Sequence, residues 1–382
     1  MKKSIYIAVL LFANFLFSQC DGRYEMEIFD EVDVTTVTYS DLYNLSMDIY
    51  QPVGDDMTNR PLIIFAHGGT FITGSKNNAT MVDLCEAFAK RGYVTASINY
   101  RLAADVVGLL QSFIFYTDTQ MAYEVVLNAV MDGKAAIRYF RKDVAENGNT
   151  YGIDPDQIWA GGNSAGGVLF LHAGHVLSIE EFIAPLDSNR ASIATDVFNS
   201  DDEDASNIGG DIEGVSGNPG YSSQLSGVIS LAGALHRSEY IDSADIPTVL
   251  CHGDADGVVP FDCNGFQNNP SYDQLCGGGA LINDFQNMGV ISDLLTFPND
   301  GHCPWSADSS KMNEVIDFLV PFLYQNIDCN HYPLELEDID FLDNHIIYEI
   351  DLLGRTVKDI NQGMVFSVFS NGKVQKKYII NK

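Results

Sequence analysis

Apolar residues in this chain come mostly as short unbroken runs. Pro61–Ala66 is one, and it ends abruptly in His67-Gly68-Gly69. A run of this length without polar interruption predicts a strand buried on both faces, as in a parallel sheet covered by helices. Further strands are predicted at Tyr93–Asn99, Gln157–Ala160, Leu225–Leu231, Thr248–Cys251 and Ser292–Phe297. Thr35–Tyr39 and Leu45–Tyr50 predict two earlier strands separated by a polar turn. Helical spacing predicts helices at Met81–Lys90, stopped by Arg91-Gly92, at Thr119 to about Glu146, at Ala165–Leu177 and at Asp308–Gln325. Strands alternating with helices imply an α/β fold with a mostly parallel sheet.

Three segments break the rhythm. Residues 1–18 have a charged start at Lys2-Lys3, an apolar stretch from Ile5 to Phe17 and a small Ser18, which together predict a secretory signal peptide. The stretch is too short to span a bilayer comfortably. Lipidation of Cys20 is the weaker reading, because Gln19 is bulky where such sites want a small residue. Residues 178–223 form an insertion rich in Asp, Ser, Gly and Asn, placed where a lid could cover a pocket. Its run Asp201-Asp202-Glu203-Asp204 lacks the alternating, glycine-turned spacing of a calcium loop, so a solvated loop is the favoured reading. Finally, a linker at 329–344 leads to a small β appendage at 345–382, leaving 19–328 as the main domain.

Composition narrows the function classes. At 382 residues, 46% hydrophobic and 19% charged, the chain has ample material for a large core, which excludes disorder throughout. With Lys+Arg 21 against Asp+Glu 52, the net charge of −31 repels phosphate backbones and anionic lipid, which argues against nucleic-acid partners. Export favours disulfides among the seven cysteines, and Cys263 with Cys276, bracketing a polar loop, is the best pair. An odd count leaves at least one thiol unpaired.

Candidate chemistry concentrates at strand ends. Gly162-Asn163-Ser164-Ala165-Gly166 lies between a predicted strand and a predicted helix, the context of a nucleophile elbow. Small neighbours let the backbones pass a strained turn that lifts the serine hydroxyl above the sheet edge. A Gly-rich turn without chemistry is the plainer reading of the pentapeptide alone, and the strand-to-helix context counts against it. His67-Gly68-Gly69-Thr70-Phe71 follows another strand end and offers N–H donors for an oxyanion: Gly69 and Thr70, with Ala165 after the serine. His67 reads as structural, shaping this loop. Downstream, His252-Gly253-Asp254-Ala255-Asp256 offers two carboxylates that could orient an imidazole, with Asp254 read as a turn residue. Asp300-Gly301-His302 offers the base after the last strand. His172 and His175 share a helical face, where packing is favoured over a metal pair.

These motifs, together with Ser97-Ile98-Asn99-Tyr100-Arg101-Leu102 and Tyr151-Gly152-Ile153-Asp154-Pro155-Asp156-Gln157-Ile158, resemble the α/β-hydrolase superfamily over about residues 35–328. The resemblance is to its carboxylesterase and hormone-sensitive-lipase-like branch and to the bacterial feruloyl/acetyl-xylan esterase-like group. It implies a cofactor-free carboxylic ester hydrolase with the chain order Ser164, Asp256, His302, and it favours Asp256 over Asp254 because Asp256 stands three before Val259-Pro260. Thr70 departs from the third glycine of many relatives. A peptidase or amidase on the same fold, or an inactive fold used for surface binding, are the alternatives. The tail, Ile347-Tyr348-Glu349-Ile350-Asp351-Leu352-Leu353-Gly354-Arg355 with Ser370-Asn371-Gly372-Lys373, resembles a type IX secretion system sorting domain, which implies secretion machinery as a partner and a place outside the outer membrane.

Overall fold

The computed structural model describes residue 20 and residues 22–199, 208–328, 346–351, 363–369 and 374–379, the last three segments by backbone alone. The expected leader at 1–18, the acidic run at 201–204 and the linker at 329–344 lie outside the described residues. The chain divides into two units, Met1–His331 and Tyr332–Lys382.

The first unit is built on an eight-stranded sheet: β1 (Val32–Ser40), β2 (Leu45–Pro52), β3 (Arg60–Ala66), β4 (Val94–Ile98), β5 (Ile153–Asn163), β6 (Gly227–Leu231), β8 (Thr248–Gly253) and β11 (Ser292–Phe297). Their spatial order is β1-β2-β4-β3-β5-β6-β8-β11. β1 and β2 pair antiparallel, β2 meets β4 antiparallel, and every pair from β4 to β11 is parallel. β3, β4, β6 and β8 are buried at every position, which is why their sequences are mostly apolar or small. From β3 the chain first crosses to β4 on one side and later to β5 on the other. The strand order therefore reverses at β3, and a crevice opens at the C-terminal ends of β3 and β5.

Helices α1 (Ala79–Ala89), α2 (Thr119–Glu146), α3 (Ala165–His175) and α7 (Ser309–Asn326) match the expected ones within a few residues. Asn78, Asp118 and Asp308 cap three of them by accepting N–H bonds from Thr80, Met121 and Ser310. Two further regions are more ordered than the sequence suggests. The insertion holds α4 (Ile179–Ile183) and α5 (Ser188–Phe198), the latter capped by Asp187 and burying Ala194, Val197 and Phe198. Its later part lies along α2, where Glu213 accepts from Arg138 at 2.8 Å and Ser216 joins the buried Arg101–Asp132 pair. Helix α6 (Gly278–Met288) opens within Gly277-Gly278-Gly279, residues of poor helix propensity. Packing explains those glycines: a Cβ on Gly279 would lie 2.2 Å from the Phe261 ring, and one on Gly277 2.0 Å from the Pro260 carbonyl.

A small antiparallel sheet, β7 (Ala234–Leu235), β10 (Gln274–Gly277) and β9 (Cys263–Gly265), stands beside the main one. Cys263 and Cys276 sit opposite each other in it and form the expected disulfide. Cys85, Cys251 and Cys303 are buried free thiols. The second unit is a three-stranded antiparallel sheet, β12 (Ile346–Asp351), β13 (Gly363–Phe369) and β14 (Val374–Ile379), in that order.

Candidate active site

Ser164 leaves the end of β5 with φ 53° and ψ −113°, a strained conformation for a side-chain-bearing residue. The turn exists because its neighbours lack side chains. A Cβ on Gly166 would lie 2.0 Å from the Ala66 carbonyl oxygen, and one on Gly162 would lie 2.4 Å from the same atom. The end of β3 thus presses directly on the serine turn. The N–H of Ser164 is tied to the Leu231 carbonyl at 2.7 Å, and α3 begins at the next residue.

The end of β3 supplies the facing loop. Gly69 takes φ +123°, and a Cβ there would lie 1.9 Å from the Thr73 carbonyl oxygen. Thr70 and Phe71 follow, both with positive φ. His67 is buried, its ring stacked on Tyr100 at 4.3 Å and its Nδ1 donating to the Gly68 carbonyl at 2.7 Å. Burial pushes its pKa down, partly opposed by that bond, so it serves as a neutral prop for the loop.

The loops after β8 and β11 bring Asp256 and His302 to the serine. His302 Nε2 lies 2.8 Å from Ser164 Oγ, and His302 Nδ1 lies 2.6 Å from Asp256 Oδ2. Asp256 is 3% exposed, and its Oδ1 accepts the N–H groups of Val258 at 2.8 Å and Val259 at 3.0 Å. Burial pushes the Asp256 carboxyl up. Hydrogen bonds from His252 and His302, the charge on His302 and the Val258 N–H outweigh that and hold it below the usual carboxylate range. Asp254 is exposed and accepts the Asn299 N–H at 2.5 Å, so it ties down the loop leading to His302 rather than its own turn. Ser164, Asp256 and His302 are thus joined in one hydrogen-bonded chain, while Gly69 and Thr70 lie on the loop after β3 and Ala165 is the first residue of α3.

Two supporting residues escape sequence reasoning. Trp305, three after His302, donates its indole N–H to Asn163 Oδ1 at 2.8 Å and so links the histidine loop to the serine turn. His252 accepts the Gly278 N–H on Nδ1 at 3.2 Å, which leaves the proton on Nε2, directed at Asp256 Oδ2 at 3.2 Å and the Val259 carbonyl at 3.2 Å. Trp305 is one of only two tryptophans and sits close to a candidate base, a signal that could have flagged it. His252 carried no signal beyond its motif.

Beside Ser164 lies a cavity of about 100 Å³ with walls mainly of apolar and aromatic side chains, including Phe115, Tyr116, Phe266 and Tyr272. The disulfide-closed loop 263–276 supplies the last two. No residue at 178–199 or 208–223 lines this cavity, while Phe182 of the insertion lines an adjoining one. His172 and His175 do not pair on a metal. His172 Nδ1 donates to the Val168 carbonyl at 2.8 Å, while His175 bonds Thr248 at 2.9 Å and faces Asp245. Among the described residues, no group of His, Cys, Asp and Glu side chains could hold a metal ion.

The strand order, its reversal at β3 and the strained serine turn after β5 are those of the α/β-hydrolase fold. A family model described as BD-FAE matches residues 47–110. The chain is 29% identical to the para-nitrobenzyl esterase of Bacillus subtilis over 140 residues, 36% of this chain and 26% of that protein. It is 30% identical to the arylacetamide deacetylase of Oryctolagus cuniculus over 136 residues, 35% of this chain and 29% of that protein. The matched part is thus less than a third of either relative's length. Among solved structures, the butyrate-bound esterase Est2 of Thermogutta terrifontis is similar with a TM-score of 0.48 at 21% identity, over 75% of this chain and 93% of that one.

Proposed function

We propose that this chain is a serine hydrolase of carboxylic esters. The observation that carries the reading is the unbroken chain from Asp256 through His302 to Ser164, opening onto an apolar cavity. In this reading Ser164 attacks the acyl carbon and His302 takes the serine proton. His302 then gives that proton to the departing alcohol. Asp256 holds the imidazole with its proton on Nδ1 and stabilises the cation that forms. The N–H groups of Gly69, Thr70 and Ala165 receive the oxyanion; each such donor contributes about 3 kcal/mol to the barrier reduction. Water then resolves the acyl-enzyme by the same steps in reverse. The printed names of the para-nitrobenzyl esterase and the arylacetamide deacetylase support acyl transfer as the reaction class. The test is labelling by a fluorophosphonate probe together with turnover of p-nitrophenyl esters. Wild type should label and turn over, and Ser164→Ala should do neither, with a loss of about 10⁶-fold in kcat. Turnover that survives Ser164→Ala would remove the proposal.

We further propose that residues 1–18 direct export and that the tail directs passage across the outer membrane. The antiparallel sheet β12–β14, with its strands paired among themselves, supports a tail that is a unit of its own. Deleting residues 332–382 in the native host should keep the protein from appearing outside the cell. Unchanged secretion would refute the sorting role.

A further inference from the structure

The apolar cavity beside Ser164 has a direction. Its walls include Ser164, Thr70 and Ala165 but not His302. A departing alcohol takes its proton from His302 Nε2 and so leaves on the histidine side. The cavity lies on the other side of the acyl carbon, where the acyl chain stands. Beyond it the space continues. A second cavity of about 80 Å³ shares Val126, Val168 and Leu275 with the first and ends among Leu127, His172 and Phe182.

The polar groups around the inner end are committed elsewhere. His172 Nδ1 donates to the Val168 carbonyl at 2.8 Å, and its Nε2 accepts the His236 N–H at 3.1 Å. The His236 ring meets the Tyr240 hydroxyl at 3.3 Å and the Tyr123 hydroxyl at 3.5 Å. Asp273 is paired with Arg190, and its second carboxylate oxygen is covered. What these walls offer a ligand is hydrocarbon. Phe182 belongs to α4 in the insertion and is 3% exposed. Its ring stacks against His236 at 5.9 Å and Tyr240 at 5.8 Å, and its carbonyl accepts the Tyr240 hydroxyl at 3.0 Å. Side chain and backbone are both held, so Phe182 acts as a fixed floor rather than a movable cover.

We infer that the two cavities form one channel for a linear aliphatic acyl chain of medium length, and that Phe182, contributed by the insertion, sets the length. Its use in turnover rests on the ester-hydrolase reading. Helix α3 gives the scale, because Val168 and His172 both face the channel. Val168 stands about 6 Å and His172 about 12 Å from Ser164 along that helix. An extended alkyl chain advances about 1.3 Å per carbon, so about five carbons reach Val168 and about nine reach His172. An acetyl group would leave both cavities empty. A feruloyl group would bring a phenol hydroxyl against walls whose polar groups are already paired.

The test uses the full-length protein and p-nitrophenyl esters from acetate to myristate, each below its critical micelle concentration. For wild type, kcat/KM should climb by about fourfold per carbon from butyrate to octanoate, the gain from burying a methylene, and fall beyond decanoate. Leu127→Phe, which fills the inner cavity, should lower the octanoate-to-butyrate ratio by about tenfold. Phe182→Ala should move the best chain about two to four carbons longer. A mere loss of stability would lower all esters together and could not move the optimum in opposite directions. A wild-type optimum at acetate or butyrate would overturn the inference, whether or not the variants fold. So would a length preference seen only along the alcohol of alkyl acetates, or folded variants with an unchanged profile. Methyl n-alkyl ketones, which are not hydrolysed, supply a binding readout by calorimetry and should bind tighter with each carbon until the channel is full. That pattern without any ester turnover would leave the channel standing and remove the hydrolase reading. Ester turnover without length dependence would sink the channel alone, and the absence of both would remove both.

Discussion

Replacing Asp256 by Asn tests the site most sharply, because the structure dictates which way the amide must turn. Asp256 Oδ1 accepts two backbone N–H groups, from Val258 and Val259. The amide oxygen of Asn must stay there, so its NH₂ takes the place of Oδ2. That atom now accepts Nδ1–H of His302 at 2.6 Å and faces Nε2–H of His252 at 3.2 Å. A donor would then meet two donors. His302 can relieve its conflict by moving its proton to Nε2, but Nε2 then has no lone pair for the Ser164 hydroxyl. His252 cannot follow, because its Nδ1 is occupied by the Gly278 N–H. The tautomer error should cost about 10⁴-fold in kcat, or about 5 kcal/mol of barrier. The repulsion left at His252 should cost about 1–3 kcal/mol of stability. Asp254→Asn is the control: that side chain is exposed and accepts one N–H, from Asn299, which an amide oxygen accepts equally well. The assay is p-nitrophenyl acetate turnover by each purified variant, with circular dichroism and thermal melts to establish folding. Activity of Asp256→Asn above roughly 1% of wild type, or a larger loss at Asp254, would refute the reasoning.

Removing the Cys263–Cys276 disulfide by a double Ser substitution should cost about 3 kcal/mol and raise KM more than it lowers kcat, since Phe266 and Tyr272 ride on the closed loop; an unchanged KM would count against that wall contacting substrate. Gly166→Ala puts a methyl 2.0 Å from the Ala66 carbonyl, so melting temperature and turnover should both drop, by more than about 2 kcal/mol in stability; a variant with wild-type melting and kcat would show that the turn is looser than its geometry implies. Burial, against the bond to Val168 and with His175 adding to it, pushes His172 down to about 4. Above the unfolded value near 6.5 its contribution is fully present; as pH falls from there toward 4 the unfolded chain takes the proton first and about 3 kcal/mol is lost. Thermal melts from pH 7 to pH 4.5 should show that decline, less steeply in His172→Gln, and a flat wild-type profile would contradict it.

The local sequence carries whatever depends on a segment and its immediate neighbours. Leu62 to Ala66 has no polar position, which suits a strand covered on both faces, and the alternation of such runs with helical stretches implies the parallel sheet. Gly162 and Gly166 around Ser164 mark a turn that side chains would block; the motifs placed after strands put a serine, an aspartate and His302 in order, while the choice of Asp256 over Asp254 rests on the family resemblance. Cys263 and Cys276 bracket their loop plainly enough to be paired. What the sequence misses is decided by partners distant along the chain. Gly277-Gly278-Gly279 carries no helix signal of its own, and it opens a helix where Phe261 and Pro260 need the space that side chains would fill. Phe115 and Tyr116 look like core residues until the fold sets them beside Ser164. Trp305 and His252 gain their roles only through Asn163, 142 residues away, and Gly278, 26 residues away. Asp273 looks like any surface carboxylate in a polar loop. Its unsatisfied oxygen exists only because α2, α3 and the His236 segment close around it, and desolvation is a property of what surrounds a group, which no local pattern of residues records.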